Sequence, residues 1–327
     1  MGGDAVVQQF AGFRRFALLT IVAVYFLILV GGIVRATGSG MGCPDWPKCF
    51  GRWIPPTAEE ELPPDYQEIY GSHGYAEDRF NAAKTWTEYV NRLIGVVIGL
   101  LIFVTLLLSL RFWRRDRAIV WWSLAAFLLV GFQGWLGSVV VDSNLAVWLV
   151  TVHMLVALVI VGVLLYVWTR SHRDLWRGTM EELPRADLLF VGVLGLSLLQ
   201  IAVGTQVREQ IDEIARDGVE RSGWIEALGL LLSFHRSYSL LLMALIGVLV
   251  WAVWKRSRPA SVQRRIGAGL LVVIGLEIAA GAAMYYFAVP AFLQPVHLLL
   301  AALGIGLLFT LWLAVRAGME EGAAVPA

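Results

Sequence analysis

Three of the five histidines in this 327-residue chain, His153, His235 and His297, stand inside or at the ends of long apolar runs. A shift of 144 residues lays Gly131-Phe132-Gln133 through His153 over Gly275-Leu276-Glu277 through His297 without a gap, and it places Asn91-Arg92 on His235-Arg236. Imidazole in a low-dielectric membrane is costly unless it has a partner, so a duplicated pattern of such residues points to paired metal or cofactor sites. His235 and His297 fall near the same side of the membrane, at matched depth in the sixth and eighth runs. Two neutral imidazoles facing each other across a four-helix bundle form a bis-histidine haem site, with small residues such as Gly281, Ala282 and Ala283 leaving room for the ring. His153 is opposed instead by Asn91. An amide is a poor iron ligand, so a haem there has one strong axial bond and an open or weakly blocked face, which suits a haem that is itself modified. The alternative for the histidines is a satisfied place in the core, and for Asn91 a hydrogen bond to a neighbouring helix.

Other polar residues group around these positions. Glu88 precedes Asn91 by three residues and so shares its helix face, where a carboxylate can relay protons or stabilise a developing cation; its structural alternative is a partner for Arg92 or Lys84. Arg92 and Arg236, each one residue after a repeat-equivalent position, can hold haem propionates by charge-assisted hydrogen bonds. Glu277 replaces its repeat mate Gln133 deep in the seventh run and receives no catalytic role. His73 and His172 read as solvated loop residues on the outside and the cytoplasmic side. The only two cysteines, Cys43 and Cys49, lie in one outside loop with Pro44 and Pro47, where a disulfide is either a staple or a redox-active pair.

The elements that must carry these residues are membrane helices. A chain with 58% hydrophobic residues and 14 Trp exceeds the apolar content of soluble proteins. Eight runs have the roughly 20 residues needed to cross a bilayer. They extend from about Phe16 to Val34, Thr87 to Leu110, Ala118 to Val141, Val147 to Trp168, Asp187 to Val207, Gly229 to Trp254, Ile266 to Val289 and Gln294 to Val315. Arg14 and Arg15 before the first run imitate a signal peptide, but the run is too long and has no usual small-residue cleavage site, so it is kept as a helix. Lysine and arginine concentrate at the N-terminus, in the loops after runs two, four and six and at the C-terminus, which places both termini in the cytoplasm and the cysteine loop outside.

The chain therefore reads as an all-α membrane protein with eight transmembrane helices, arranged as two pseudo-twofold-related four-helix bundles. The repeat divides it into residues 1–176 and 177–327. Each half has an even number of crossings, so the copies are parallel. Their first helices echo each other, Leu29-Val30-Gly31-Gly32-Ile33-Val34-Arg35 against Ile201-Ala202-Val203-Gly204-Thr205-Gln206-Val207-Arg208. The first outside loop differs most, running from about Ala36 to Trp86 in one copy and from Arg208 to Leu228 in the other, so specialised chemistry is expected in the first half. A net charge of +1 gives no sign of a nucleic-acid partner.

The run Val30-Gly31-Gly32-Ile33-Val34-Arg35-Ala36-Thr37-Gly38-Ser39-Gly40-Met41-Gly42-Cys43-Pro44-Asp45-Trp46-Pro47 resembles the first-helix signature of haem A synthases. Glu88-Tyr89-Val90-Asn91-Arg92-Leu93-Ile94-Gly95 resembles their second-helix motif. The resemblance implies a plasma-membrane enzyme that oxidises one ring methyl of haem O to a formyl group, giving haem A. It further implies haem b on His235 and His297, the substrate haem at His153, and Glu88 as the essential acid. Many members carry histidine where this chain has Asn91. The implied partners are haem O, the enzyme that produces it, an unidentified electron donor and the lipid bilayer. Whether copies associate as a homo-oligomer is left open. The rival readings are a dihaem b-type, quinol-linked electron carrier and a non-enzymatic haem carrier or assembly factor.

Overall fold

Lipid offers the backbone no hydrogen-bond partner, so an apolar run crossing it must satisfy its amides internally, and a helix does so within one segment. The computed structural model of the chain describes residues 10–76 and 79–320. In them eight helices are long and apolar enough to cross a membrane. They are α1 (Ala11–Ala36), α2 (Ala82–Ser109), α3 (Arg117–Asp142), α4 (Val147–Trp176), α5 (Ala186–Arg216), α6 (Gly229–Arg256), α7 (Val262–Tyr286) and α8 (Leu293–Met319). Among the described residues there is no strand, only two isolated bridges. Side chains start three helices by accepting orphan amides: Asn81 from Lys84 N, Asp116 from Ala118 N and Ser261 from Arg264 N.

Two helices outrun their apolar cores. α4 continues to Trp176, so His172 is not a loop residue. Its ring lies 4.4 Å from that of Trp168 and stacks on Trp176, with Nδ1 2.8 Å from the Trp168 carbonyl. Likewise α5 runs on to Arg216 through a stretch expected as loop. An amphipathic face sustains that extension: Val207, Ile211 and Ile214 are buried, while Arg208 pairs with Asp212 one turn on.

Phe16–Val161 forms one compact unit, and the described parts of Met1–Arg15 and Gly162–Ala327 form the other. The repeat places its division between 176 and 177, whereas compactness divides the chain inside α4. Polar contacts join helix ends within the second of these units. Arg14 donates through Nε to the Ser171 carbonyl at 2.9 Å, Arg173 and Arg177 pair with Glu320, and Gln263 Nε2 donates to Thr179 Oγ1 and to the Ala314 carbonyl, both at 2.8 Å.

In the unit Phe16–Val161, the Thr20 and Thr105 hydroxyls meet at 2.9 Å and fix the register of α1 against α2. α2 packs on α3, and Gln133 ties α3 to α4. The long loop between α1 and α2 is a packed cap in its described residues. Phe50 sits at its centre, edge-on to Tyr70, Tyr75 and Phe80 at 5.1 to 5.7 Å, above the fully buried Cys43 and Cys49.

In the other unit α5 packs on α6 and α8, and α7 on both as well, closing a four-helix ring. Phe190, Ile246, Val250, Leu270, Leu308 and Leu311 fill one end of its interior. A second apolar cluster, with Val207, Ile211, Leu228 and Val289, seals the opposite end. In lipid this close packing, rather than water exclusion, holds the helices together.

Candidate functional site

Between those two apolar clusters the interior changes character. The positions that face one another there include Gln200 and Gly204 of α5, His235 of α6, Glu277 and Gly281 of α7, and His297 of α8. The histidine rings lie against glycine. A Cβ on Gly204 would stand 3.1 Å from His235 Cε1, and one on Gly281 would stand 3.4 Å from His297 Cε1. Gln200 Nε2 donates to the His235 carbonyl at 2.9 Å. Glu277 Oε1 approaches His297 Nδ1 to 3.2 Å without hydrogen-bond geometry, which leaves the Nδ1 atoms of both histidines buried and unbonded among the described residues. Buried polar atoms are nearly always paired, so such orphans mark where a bound group is expected. Arg236 lies over the Tyr285 ring at 5.1 Å.

The first unit repeats part of this arrangement. A Cβ on Gly137 would lie 3.5 Å from His153 Cε1, and Gln133 Nε2 donates to the His153 carbonyl at 2.9 Å. His153 Nδ1 and Asn91 Oδ1 are again buried without partners among the described residues. All four repeat-equivalent positions therefore carry an orphaned polar atom, the three histidines and the asparagine alike.

The first unit adds a carboxylate clamp. Glu88, 4% exposed, accepts from the Cys43 amide at 2.8 Å and pairs with Arg92 one helical turn on. The Arg92 guanidinium also donates to three loop carbonyls, those of Cys43 at 3.0 Å, Asp45 at 2.7 Å and Lys48 at 3.0 Å. Asp45 in turn accepts from the Phe50 and Gly51 amides at 2.6 and 2.8 Å, and Cys43 and Cys49 are joined by a disulfide. Gly42 rests on α2 so closely that a Cβ would come within 2.5 Å of the Lys84 carbonyl oxygen. Glu88 and Arg92 thus fasten the cysteine loop to α2, combining the structural role with a place on the Asn91 face. His73, expected as a solvated loop residue, is instead half-buried in the turn Gly71–His73, its Nδ1 buried without a partner among the described residues, and the adjacent Ser72 carbonyl accepts from Asn144 at 2.9 Å.

Residues 14–310 match the model of the COX15-CtaA family, described as cytochrome oxidase assembly protein. The chain belongs to this family. It is similar to proteins named heme A synthase, at 28% identity from Ruegeria pomeroyi over 90% of this chain and 88% of that protein. The likeness is 32% from Shewanella oneidensis over 47% of this chain, and 30% from Cereibacter sphaeroides over 63%. Those two alignments span 45% and 57% of the relatives' own lengths.

The name of those relatives refers to haem, and the residues of this chain fit that group. The donors are imidazoles with unbonded buried nitrogens, each laid against a glycine that leaves room beside the ring. Sequence reasoning found the three histidines but not the glycine seats of His153 and His235, nor the amide props Gln133 and Gln200. The echo of Gly31 and Gly204 in the first helices was the available signal for the seat of His235.

Proposed function

We propose that this chain is a haem A synthase, oxidising the ring methyl of haem O to a formyl group so as to give haem A for terminal oxidases. What supports this reading is the inequality of two otherwise matched sites: on the Asn91 face of α2 the buried acid Glu88 is clamped to the Cys43 amide and Arg92, while its repeat position in the second is Leu232 and the acid there, Glu277, stands on α7 beside His297. The heme A synthase relatives support the same reaction. His235 and His297 hold haem b, which supplies electron transfer when bound. His153 holds the substrate haem from α4, with Asn91 opposite it and Glu88 near the reacting edge. Arg236, whose guanidinium bonds no carboxylate among the described residues, is the propionate ligand of the second site.

Arg92 acts on the first site through the loop. By holding the carbonyls of Cys43, Asp45 and Lys48 it keeps the disulfide cap in place over the end of the bundle and orients the Glu88 carboxylate. A shielded, buried carboxylate can accept or return the protons that an oxidation at carbon releases. The distribution of lysine and arginine supports cytoplasmic termini and an outside cysteine loop, so the enzyme works from the outer side of the plasma membrane. The enzyme that makes haem O and a separate electron donor are its partners.

Co-expression with a haem O source and mass analysis of the extracted pigment tests the activity. The wild-type chain yields haem A, and Glu88→Ala yields none while retaining the second-site haem. Unmodified haem alone from the wild-type protein returns the chain to the electron-carrier or haem-carrier class. Normal haem A from stably expressed Glu88→Ala sinks the role of the acid.

A further inference from the structure

The two sites differ on one axial side, and the difference involves more than the ligand. Three histidine rings each fill the space in front of a glycine: His153 at Gly137, His235 at Gly204 and His297 at Gly281. Laying Arg35 on Arg208 puts Gly31 on Gly204 and Leu27 on Gln200. A Cβ on Gly31 would meet nothing within 4 Å. No ring therefore lies in front of Gly31, the position that the repeat makes equivalent to the seat of His235. Its prop is missing too, since Leu27 cannot donate the hydrogen bond that Gln200 gives the His235 carbonyl. Asn91 Oδ1 is left buried with no partner among the described residues.

The polar neighbours along α2 are already engaged. Both Glu88 oxygens are bonded, one to the Cys43 amide and one to Arg92. Arg92 is held by three loop carbonyls, and the Tyr89 hydroxyl donates to the Trp53 carbonyl. None of them reaches iron without dismantling the clamp, and arginine offers no lone pair in any case. A carboxamide beside an open axial side is suited to hydrogen-bond a small molecule held there, not to replace imidazole as a ligand.

We propose that the His153 haem site binds a small neutral exogenous ligand on its Asn91 side, with the Asn91 carboxamide Nδ2 donating a hydrogen bond to that ligand. The bis-histidine site at His235 and His297 has no such side and takes none. This rests on the reading that His153 holds a haem, and it adds a ligand site that the activity alone does not require.

Carbon monoxide is the probe, added to the reduced, detergent-solubilised full chain loaded with both haems and read by visible difference and resonance Raman spectra. About half of the haem shifts on addition of carbon monoxide, and the shifting fraction disappears in His153→Ala while the low-spin signal of the other site persists. Asn91→His abolishes carbon monoxide binding and makes both haems low-spin; Asn91→Leu retains binding but moves the iron-bound carbon monoxide stretch, the signature of a lost hydrogen bond. A His153-dependent haem that is low-spin and refuses carbon monoxide overturns the open side, and gain of binding in His73→Ala would identify the loop histidine as the ligand that closes it. Loss of no haem at all in His153→Ala overturns the underlying haem reading instead. An unchanged stretch in Asn91→Leu overturns the hydrogen bond.

Discussion

The two histidine sites are built to one plan and finished differently. In the second half, glycine seats and polar props surround two histidines, and a four-helix ring closes on itself with apolar packing above and below. In the first half one histidine gives way to Asn91, its prop to Leu27, and a buried Glu88–Arg92 pair fastens a disulfide-bonded aromatic cap to α2. A duplicated scaffold can thus keep one copy as a symmetrical holder while the other accepts an asymmetry that leaves room for chemistry. Helix contacts tolerate this because each histidine meets only the helices beside it.

The largest expected effect that breaks the comparison is ligand removal. His297→Ala eliminates the low-spin haem spectrum of the second site, whereas His153→Ala spares it; equal loss in both variants would make the two sites one cooperative unit. Next comes the clamp. Arg92→Ala removes one partner of a nearly buried ion pair, which costs about 3 kcal/mol of local stability. Limited proteolysis should then cut the cysteine loop, while Arg236→Ala leaves it resistant. Both variants behaving alike would mean that the loop is held by its disulfide and aromatic packing alone.

A smaller effect separates the glycine seats. Gly204→Ala forces the His235 ring to move and lowers haem retention by about tenfold, the order expected for disturbing a ligand's support. Gly31→Ala meets open space and gains up to about 1 kcal/mol from helix propensity, read as an unchanged or slightly raised melting temperature. The smallest concerns Glu320, which caps the C-terminal end of α8. Burial pushes its carboxyl up, but hydrogen bonds and ion pairing from Arg173 and Arg177 outweigh this and hold it below the ordinary carboxylate value. A depressed value means the contribution is present above the unfolded pKa and is lost as pH falls through the folded one. Hydrogen exchange near Trp176 should therefore rise on acidification below about pH 4, and Glu320→Gln should flatten that dependence.

Much of this was legible in one dimension. The eight helices lie close to the apolar runs because hydropathy over about 20 residues is a local property. The shift that relates His153 to His297 likewise exposed the unequal fourth position. Less legible were the ends of α4 and α5. Their last turns are polar or amphipathic and are held by contacts far along the chain, such as Arg173 with Glu320, or by a cap that includes Val289. His172 was misplaced for that reason. Glu88 was found as a candidate acid with Arg92 as its structural partner, but no spacing rule predicts that its second oxygen takes the Cys43 amide, 45 residues away.

The sequence by itself determined that the chain crosses the membrane eight times, repeats a histidine-bearing unit and lacks one histidine of four. Composition and periodicity carry that information without reference to any contact. Only the tertiary structure decided that His153, His235 and His297 each rest on a glycine of another helix, that nothing lies in front of Gly31, and that Arg92 serves the loop while its repeat mate Arg236 lies over a tyrosine. The physical reason is that these are meetings between helices, fixed by register and approach distance, and equal residues at equal repeat positions find different partners once the loops around them differ.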